Sequence, residues 1–166
     1  MNQKLASAII VGILLCAQCV VAAEGVIVNR ILIEKKAHLL TLFSGGAKIK
    51  SYKVSLGRGG LGRKLRKGDK LTPEGKYRID RRNLNSAYHK ALHISYPNKE
   101  DIARATAQGV EPGGDIMIHG IRNGLGWLGP IHRLFDWTLG CVALTNWEIE
   151  ELWKLVPDGT EVEILP

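Results

Sequence analysis

Apolar residues along most of the chain recur at every second position or in short β-branched runs, and one late segment carries a sustained helical spacing. Val26-Ile27-Val28 and Ile31-Leu32-Ile33 predict a first strand. His38 to Phe43 followed by Ser44-Gly45-Gly46 predicts a strand and a tight turn, and Ile49 to Leu56 the next strand. Gly57 to Lys70 has no apolar period and is rich in glycine, lysine and arginine, so it reads as a loop. Thr72-Pro73-Glu74-Gly75 is a turn, Lys76 to Ile79 a short strand and Ala91 to Tyr96 another; Ile102 to Gln108 reads as a brief helix stopped by Gly109. Asp115 to Gly120 is an apolar run ending in His-Gly, Ile121 to Pro130 a glycine-crowded loop or lid, and Cys141 to Leu144 a buried strand. Thr145 and Glu148 stand at the spacing of a capping box, and Ile149, Leu152, Trp153 and Val156 give the helix behind them one apolar face. Pro157-Asp158-Gly159 ends that helix, and Thr160, Val162 and Ile164 alternate as a last strand. The elements predict a mainly β domain with minor α, a small mixed β-barrel or sandwich with one well-marked helix near the C-terminus, and not a doubly wound α/β fold.

The first residues change the picture of where such a domain works. Lys4 precedes an apolar run from Leu5 that ends in Val21-Ala22-Ala23 before Glu24. A positive start, an apolar middle and a small-residue exit describe an export signal over residues 1–23, leaving residues 24–166 as one domain. An uncleaved anchor is the alternative, since the run approaches the roughly 20 residues that span a bilayer. Lipidation at Cys16 or Cys19 lacks the small residue expected just before such a cysteine. The net charge is +7, with basic residues concentrated at Arg58, Arg63, Lys64, Arg66, Lys67 and Lys70 and again at Arg81 and Arg82. A basic face suits an anionic partner. With export, cell-wall polymers or lipid headgroups replace nucleic acid as that partner, and a merely solvated loop is the plainer reading.

The cysteines sharpen the chemistry. Removing residues 1–23 takes Cys16 and Cys19 and leaves Cys141 as the sole thiol. Exported proteins usually pair their cysteines, so a lone thiol is buried and inert, paired with another molecule, or reactive. Two segments favour reactivity. Ile116-Met117-Ile118-His119-Gly120 holds a histidine at a strand end, where it can reach a cleft. In Asp136-Trp137-Thr138-Leu139-Gly140-Cys141, a turn delivers a cysteine to the start of a buried strand. Gly140 permits close backbone approach, and the amides of this turn can face a developing oxyanion. A histidine that takes the thiol proton makes a nucleophile of the cysteine.

At these residues the chain resembles the L,D-transpeptidases of the YkuD type. His119-Gly120, a gap and Thr138-Leu139-Gly140-Cys141-Val142-Ala143 are similar to the family's His-Gly and Ser/Thr-His-Gly-Cys motifs. Val54-Ser55-Leu56-Gly57 and Thr72-Pro73-Glu74-Gly75-Lys76-Tyr77 resemble its upstream strand and turn, and the likeness runs from about Val26 to Pro166. It implies the family's mixed β fold, with Cys141 as nucleophile, His119 as general base and Gly120 as the carbonyl that orients the base. Gly140 would supply a backbone oxyanion contact. Leu139 departs from the family, which usually has a second histidine there, and Ala143 stands where Asn or Arg is common. His132 is the candidate to take over part of the missing histidine's role. Thr138, Trp127 and Arg122 are the other candidates for substrate binding. The implied substrates are peptidoglycan stem peptides. The thioester formed with loss of D-alanine passes to an amine on a second stem, to a protein or to water, and neither step calls for a metal or an organic cofactor.

Other readings stay open at this point. A zinc site from His119, His132 and Cys141 is conceivable by residue type, but no recognised ligand spacing supports it. Papain-like enzymes place the cysteine before the histidine, and sortases need an arginine soon after the cysteine; this chain does neither. A non-catalytic, exported wall-binding protein with a degenerate site is the reading from a different class, kept by Leu139 and Ala143. His38 and His89 read as edge or surface residues, and His93 as a candidate cleft wall.

Overall fold

The computed structural model describes residues 26–166, so the export signal expected over residues 1–23 lies outside the described residues. In chain order the elements are β1 (Arg30–Glu34), β2 (Leu39–Ser44), β3 (Ala47–Lys53), β4 (Gly75–Ser86), β5 (His89–Ile94) and α1 (Lys99–Ala107). They continue with β6 (Met117–His119), a pair of 3-10 turns over Gly126–Leu134, β7 (Val142–Ala143), α2 (Asn146–Leu155) and β8 (Glu161–Leu165). The strands form one sheet in the order β3-β2-β1-β8-β4-β5-β6-β7. Most pairings are antiparallel; β1 with β8 and β6 with β7 are parallel. The sheet is not closed. The segments at its two ends meet through two isolated bridges: Ser55 and Ala143 exchange backbone hydrogen bonds of 3.1 and 2.8 Å, and Gly57 lies beside Thr138.

Alternation decides which face each strand buries. On β1, Ile31 and Ile33 point inward, and on β8 Val162 and Ile164 do the same in register beside them. With Leu40, Leu42, Ile79, Leu92, Ile94 and Ile118 they make one apolar core, which α2 covers with Ile149 and Leu152. Fully burying each such side chain contributes roughly 1.5–3 kcal/mol, so the strand cluster outweighs any single polar contact. The capping box of α2 is formed as its spacing predicts: Thr145 accepts from the Glu148 amide and the Glu148 carboxylate accepts from the Thr145 amide.

Several boundaries differ from the sequence pattern, each for a local reason. Strand β4 runs on through Asp80 to Ser86, where no apolar alternation marks it; its first half pairs with β8 and its second with β5 across two irregularities. The polar stretch is stable there because Arg82 bonds the Trp153 and Val156 carbonyls at the end of α2, pairs with Asp158 and lies over the Trp153 ring. Helix α1 begins earlier than expected, because Asn98 caps it and Asp101 closes the box. Residues 57–74 are a loop without regular structure, yet they are firmly held. Asp69 accepts from the Leu65, Arg66 and Leu71 amides and from Lys64. Lys35, fully buried, reaches from the end of β1 to the Gly62 and Thr72 carbonyls and to Glu74. No helix among the described residues is long and apolar enough to cross a membrane.

Candidate active site

Strands β6 and β7 run parallel with Ile118 opposite Val142 and His119 opposite Ala143. Carried back one residue, this register sets Cys141 beside Met117. Residues two apart on a strand share a face, so Cys141 lies on the face of Met117 and His119, diagonally across the ladder from the histidine. Both line one cleft of about 330 Å³ whose walls include Tyr88, Trp137, Met117 and Leu139.

The histidine is held on every side. His119 is 4 % exposed. Its ring packs on Tyr88 with centroids 4.6 Å apart and against Trp137 at 5.7 Å. Its Nδ1 lies 2.6 Å from the Gly120 carbonyl oxygen. A carbonyl only accepts, so Nδ1 carries the hydrogen. Burial lowers the ring's pKa from 6.5 to about 4, against the opposing pull of that carbonyl, so the ring is neutral at ordinary pH. A neutral ring protonated at Nδ1 leaves the Nε2 lone pair able to take a proton. Gly120 is fixed as tightly: its amide donates to the Tyr88 and Lys90 carbonyls, and a Cβ there would stand 2.8 Å from Asn146 Oδ1.

The cysteine sits on a turn clasped by its own hydroxyl. Thr138 Oγ1 donates to the Cys141 carbonyl at 2.7 Å and accepts from the Gly140 amide at 3.1 Å. Gly140 has φ +128°, and a Cβ there would meet the Leu71 carbonyl oxygen at 2.8 Å, so no other residue fits without moving the loop. Upstream, Asp136 accepts from the Leu56 amide at 2.7 Å and pairs with His38 at 3.0 Å, which fixes the approach to the turn. Burial raises the Cys141 thiol pKa, the Met117 amide works in the opposite direction, and the thiol lies 3.7 Å from the Asp115 carbonyl oxygen. Burial thus holds the thiol up and the imidazole down, and both shifts favour the neutral forms.

The other sequence candidates fall in different places. Thr138 lines the cleft, but its hydroxyl is taken up within the turn. The Gly140 amide is likewise engaged by Thr138, which leaves the Cys141 amide as the less committed donor of this turn among the described residues. His132 does not reach the cleft of Cys141. It is buried behind Trp137, whose indole N–H donates to its Nδ1 at 3.3 Å, and it faces a second, mostly apolar hollow of about 330 Å³. Arg122 lines that same hollow, and Trp127, 76 % exposed, lines neither. The reason is the path of residues 121–135, which turn away over the 3-10 segment with a break at Gly129. His93 pairs with Asp80 at 2.5 Å and lies 3.9 Å from Asp115, beside the cleft rather than in it. Among the described residues no three of His, Cys, Asp and Glu gather as a metal cluster.

Tyr88 is the cleft residue that the sequence pattern missed. It stands in the turn between β4 and β5, and a hairpin there would have been signalled only by reading the polar stretch before it as strand. A second cleft of about 250 Å³ opens at Cys141, Leu139 and Asp115 and is lined by Lys64, Lys67 and Lys70. These lysines belong to the basic run in the sequence; Arg63, Arg81 and Arg82 of that run are instead spent on Glu74, Asp115 and Asp158.

The described residues form a mostly β domain that presents Cys141 and a ring-packed His119 from adjacent strands. The L,D-transpeptidase catalytic domain, YkuD, matches residues 28–164, and the chain belongs to that family. YafK of Escherichia coli K12, whose own L,D-transpeptidase assignment is provisional, is 38 % identical over 108 residues, 64 % of this chain and 36 % of YafK. The helical cell shape determining protein Pgp2 of Campylobacter jejuni is similar with TM-score 0.64 and 28 % identity, over 82 % of this chain and 47 % of Pgp2. Bd1075 of Bdellovibrio bacteriovorus follows at 0.56 and 25 %, over 81 % and 46 %. An L,D-transpeptidase from Xylanimonas cellulosilytica, at 0.55 and 16 % over 86 % of this chain and 62 % of that one, shares the fold. The chain thus spans about a third of YafK and just under half of Pgp2 and Bd1075.

Proposed function

We propose that the domain is an exported cysteine acyltransferase acting on peptidoglycan stem peptides. The observation that carries this is the neutral, Nδ1-protonated His119, locked on the Gly120 carbonyl and sharing both face and cleft with Cys141. The Cys141 sulfur attacks the carbonyl of the bond preceding a D-alanine while His119 Nε2 takes the thiol proton. The Cys141 amide faces the oxyanion that forms, the first role of that kind open to this turn. The C–N bond breaks, His119 returns the proton to the departing amine, and a thioester remains. An incoming amine or water then gives its proton to His119, attacks the thioester and releases the thiol. An amine yields a cross-link or a protein attachment, and water yields a trimmed stem.

The test is intact mass. Purified protein incubated with a carbapenem should gain one covalent adduct, absent in Cys141→Ala, and incubation with tetrapeptide muropeptides should yield a dimer or a trimmed product. Dimer and trimmed product separate the amine and water outcomes. An unmodified protein with unchanged muropeptides, together with retained binding to insoluble peptidoglycan, would replace this reading with that of a wall-binding module.

A further inference from the structure

The cleft lined by Lys64, Lys67 and Lys70 touches Cys141 from a side that His119 does not line. It is a constructed feature. Asp69 gathers three loop amides and the Lys64 ammonium, at 2.7 Å, so the backbone carrying the lysines is set. The Lys67 amide is tied to the Glu111 carbonyl at 2.7 Å, and the Lys70 carbonyl accepts from Gly59 at 2.9 Å. The charge is only partly cancelled locally. Asp69 neutralises Lys64, and the Asp115 carboxylate is drawn 3.4 Å from Arg81. Lys67 has only a loose, exposed neighbour in Glu111 at 3.9 Å, and Lys70 has no carboxylate within 4.0 Å among the described residues. Lys67, whose one carboxylate partner among the described residues is the exposed Glu111, and Lys70 thus line a hollow beside the thiol.

We infer that this cleft binds a free carboxylate on the acyl-donor part of the substrate and makes the enzyme selective for unamidated stems. The inference rests on the proposed acyl transfer. In that reaction His119 must hand a proton to the departing amine, so the leaving residue lies in the cleft that His119 lines. The acyl portion then extends across the sulfur into the other cleft, where the lysines are. A stem with a free carboxylate before the scissile carbonyl would place that charge in this cleft, and amidation would remove it. Leu139, 65 % exposed, lines both clefts, so an apolar residue stands between the lysine-lined side and the base.

Two measurements test this with Lys67→Gln, Lys70→Gln and the double variant, and with Lys48→Gln on β3 as a control outside both clefts. The first compares Cys141 alkylation by iodoacetate and by iodoacetamide, in which the thiolate displaces iodide from reagents of nearly equal size. The ratio of the two rates should fall about fivefold for each lysine removed, the factor for a unit charge pair at about 4 Å in water. The control should leave it unchanged. The second compares hydrolysis or transfer with tetrapeptide stems bearing a free or an amidated carboxylate. Wild type should prefer the free acid through KM, and the double variant should lose the preference with kcat little changed. An unchanged alkylation ratio, or a preference that survives in the double variant, overturns the inference. If wild type turns over neither stem, the proposed function fails, and the alkylation ratio alone still decides whether the cleft is an anion subsite.

Discussion

His119 can be tested through the pH dependence of folding as well as through activity. In the fold its ring stays neutral down to about pH 4, whereas an unperturbed histidine takes a proton at 6.5. Between those values the unfolded chain binds more protons than the folded one, so acid favours unfolding. The stability that comes from a neutral His119 is therefore fully present above pH 6.5 and is lost as the pH falls toward 4. A drop from 6.5 to about 4 corresponds to about 3 kcal/mol at about 1.4 kcal/mol per pH unit. The perturbation is His119→Phe, which keeps a ring between Tyr88 and Trp137 but cannot titrate. Losing the bond to the Gly120 carbonyl costs a constant amount, so slopes are compared rather than absolute stabilities. Urea unfolding at a series of pH values from 7.5 to 4 gives the free energy of each protein. Wild type should lose about 3 kcal/mol more than the variant over this range, or about 1.5 M in midpoint at an m value of about 2 kcal/mol/M. Other groups titrate in both proteins and cancel in the difference. Parallel curves, within about 0.5 kcal/mol, would show that His119 is not a buried neutral base and would remove the basis of the mechanism.

Other expectations follow from the same geometry. The raised Cys141 thiol predicts that its alkylation rate keeps climbing above pH 9; a plateau near pH 7 would mean a standing thiolate-imidazolium pair instead. Gly140→Ala should destabilise the fold by roughly 1–3 kcal/mol and slow Cys141 alkylation, because the new Cβ cannot share space with the Leu71 carbonyl; an unaltered melting curve would contradict this. Lys35→Met leaves the Gly62 and Thr72 carbonyls unpaired and Glu74 with Arg63 alone, and should cost about 3–5 kcal/mol in chemical denaturation, whereas a loss under about 1 kcal/mol would show that the loop 57–74 holds itself.

What the sequence disclosed follows from how local each signal is. The box of Thr145 and Glu148 and the alternation of Thr160, Val162 and Ile164 depend on residues a few positions apart, and both were legible. The second half of β4 was not, because Arg81 and Arg82 are stabilised by Asp115, Asp158 and the end of α2, all distant in sequence. In the site, Cys141 and His119 could be chosen because one is a lone thiol and both flank short strand-like runs. The wall formed by Tyr88 and Trp137, and the turning away of Arg122, Trp127 and His132, depend on the path of a segment whose glycine content marks a loop without giving its direction.

The replacement at Leu139 bears on this division. A second histidine at that position would project from the turn at the mouth of both clefts, as Leu139 does, and not into the ring stack around His119. The base is oriented by Gly120 and enclosed by Tyr88 and Trp137, none of which involves residue 139. On the proposed mechanism, Leu139 would leave the proton-transfer geometry standing and bear on what approaches the sulfur. An apolar residue stands there, while Lys67 and Lys70 line the same cleft from the neighbouring loop. On the proposed mechanism, charge recognition and nucleophile activation would fall to separate parts of the chain, so one could be altered without the other.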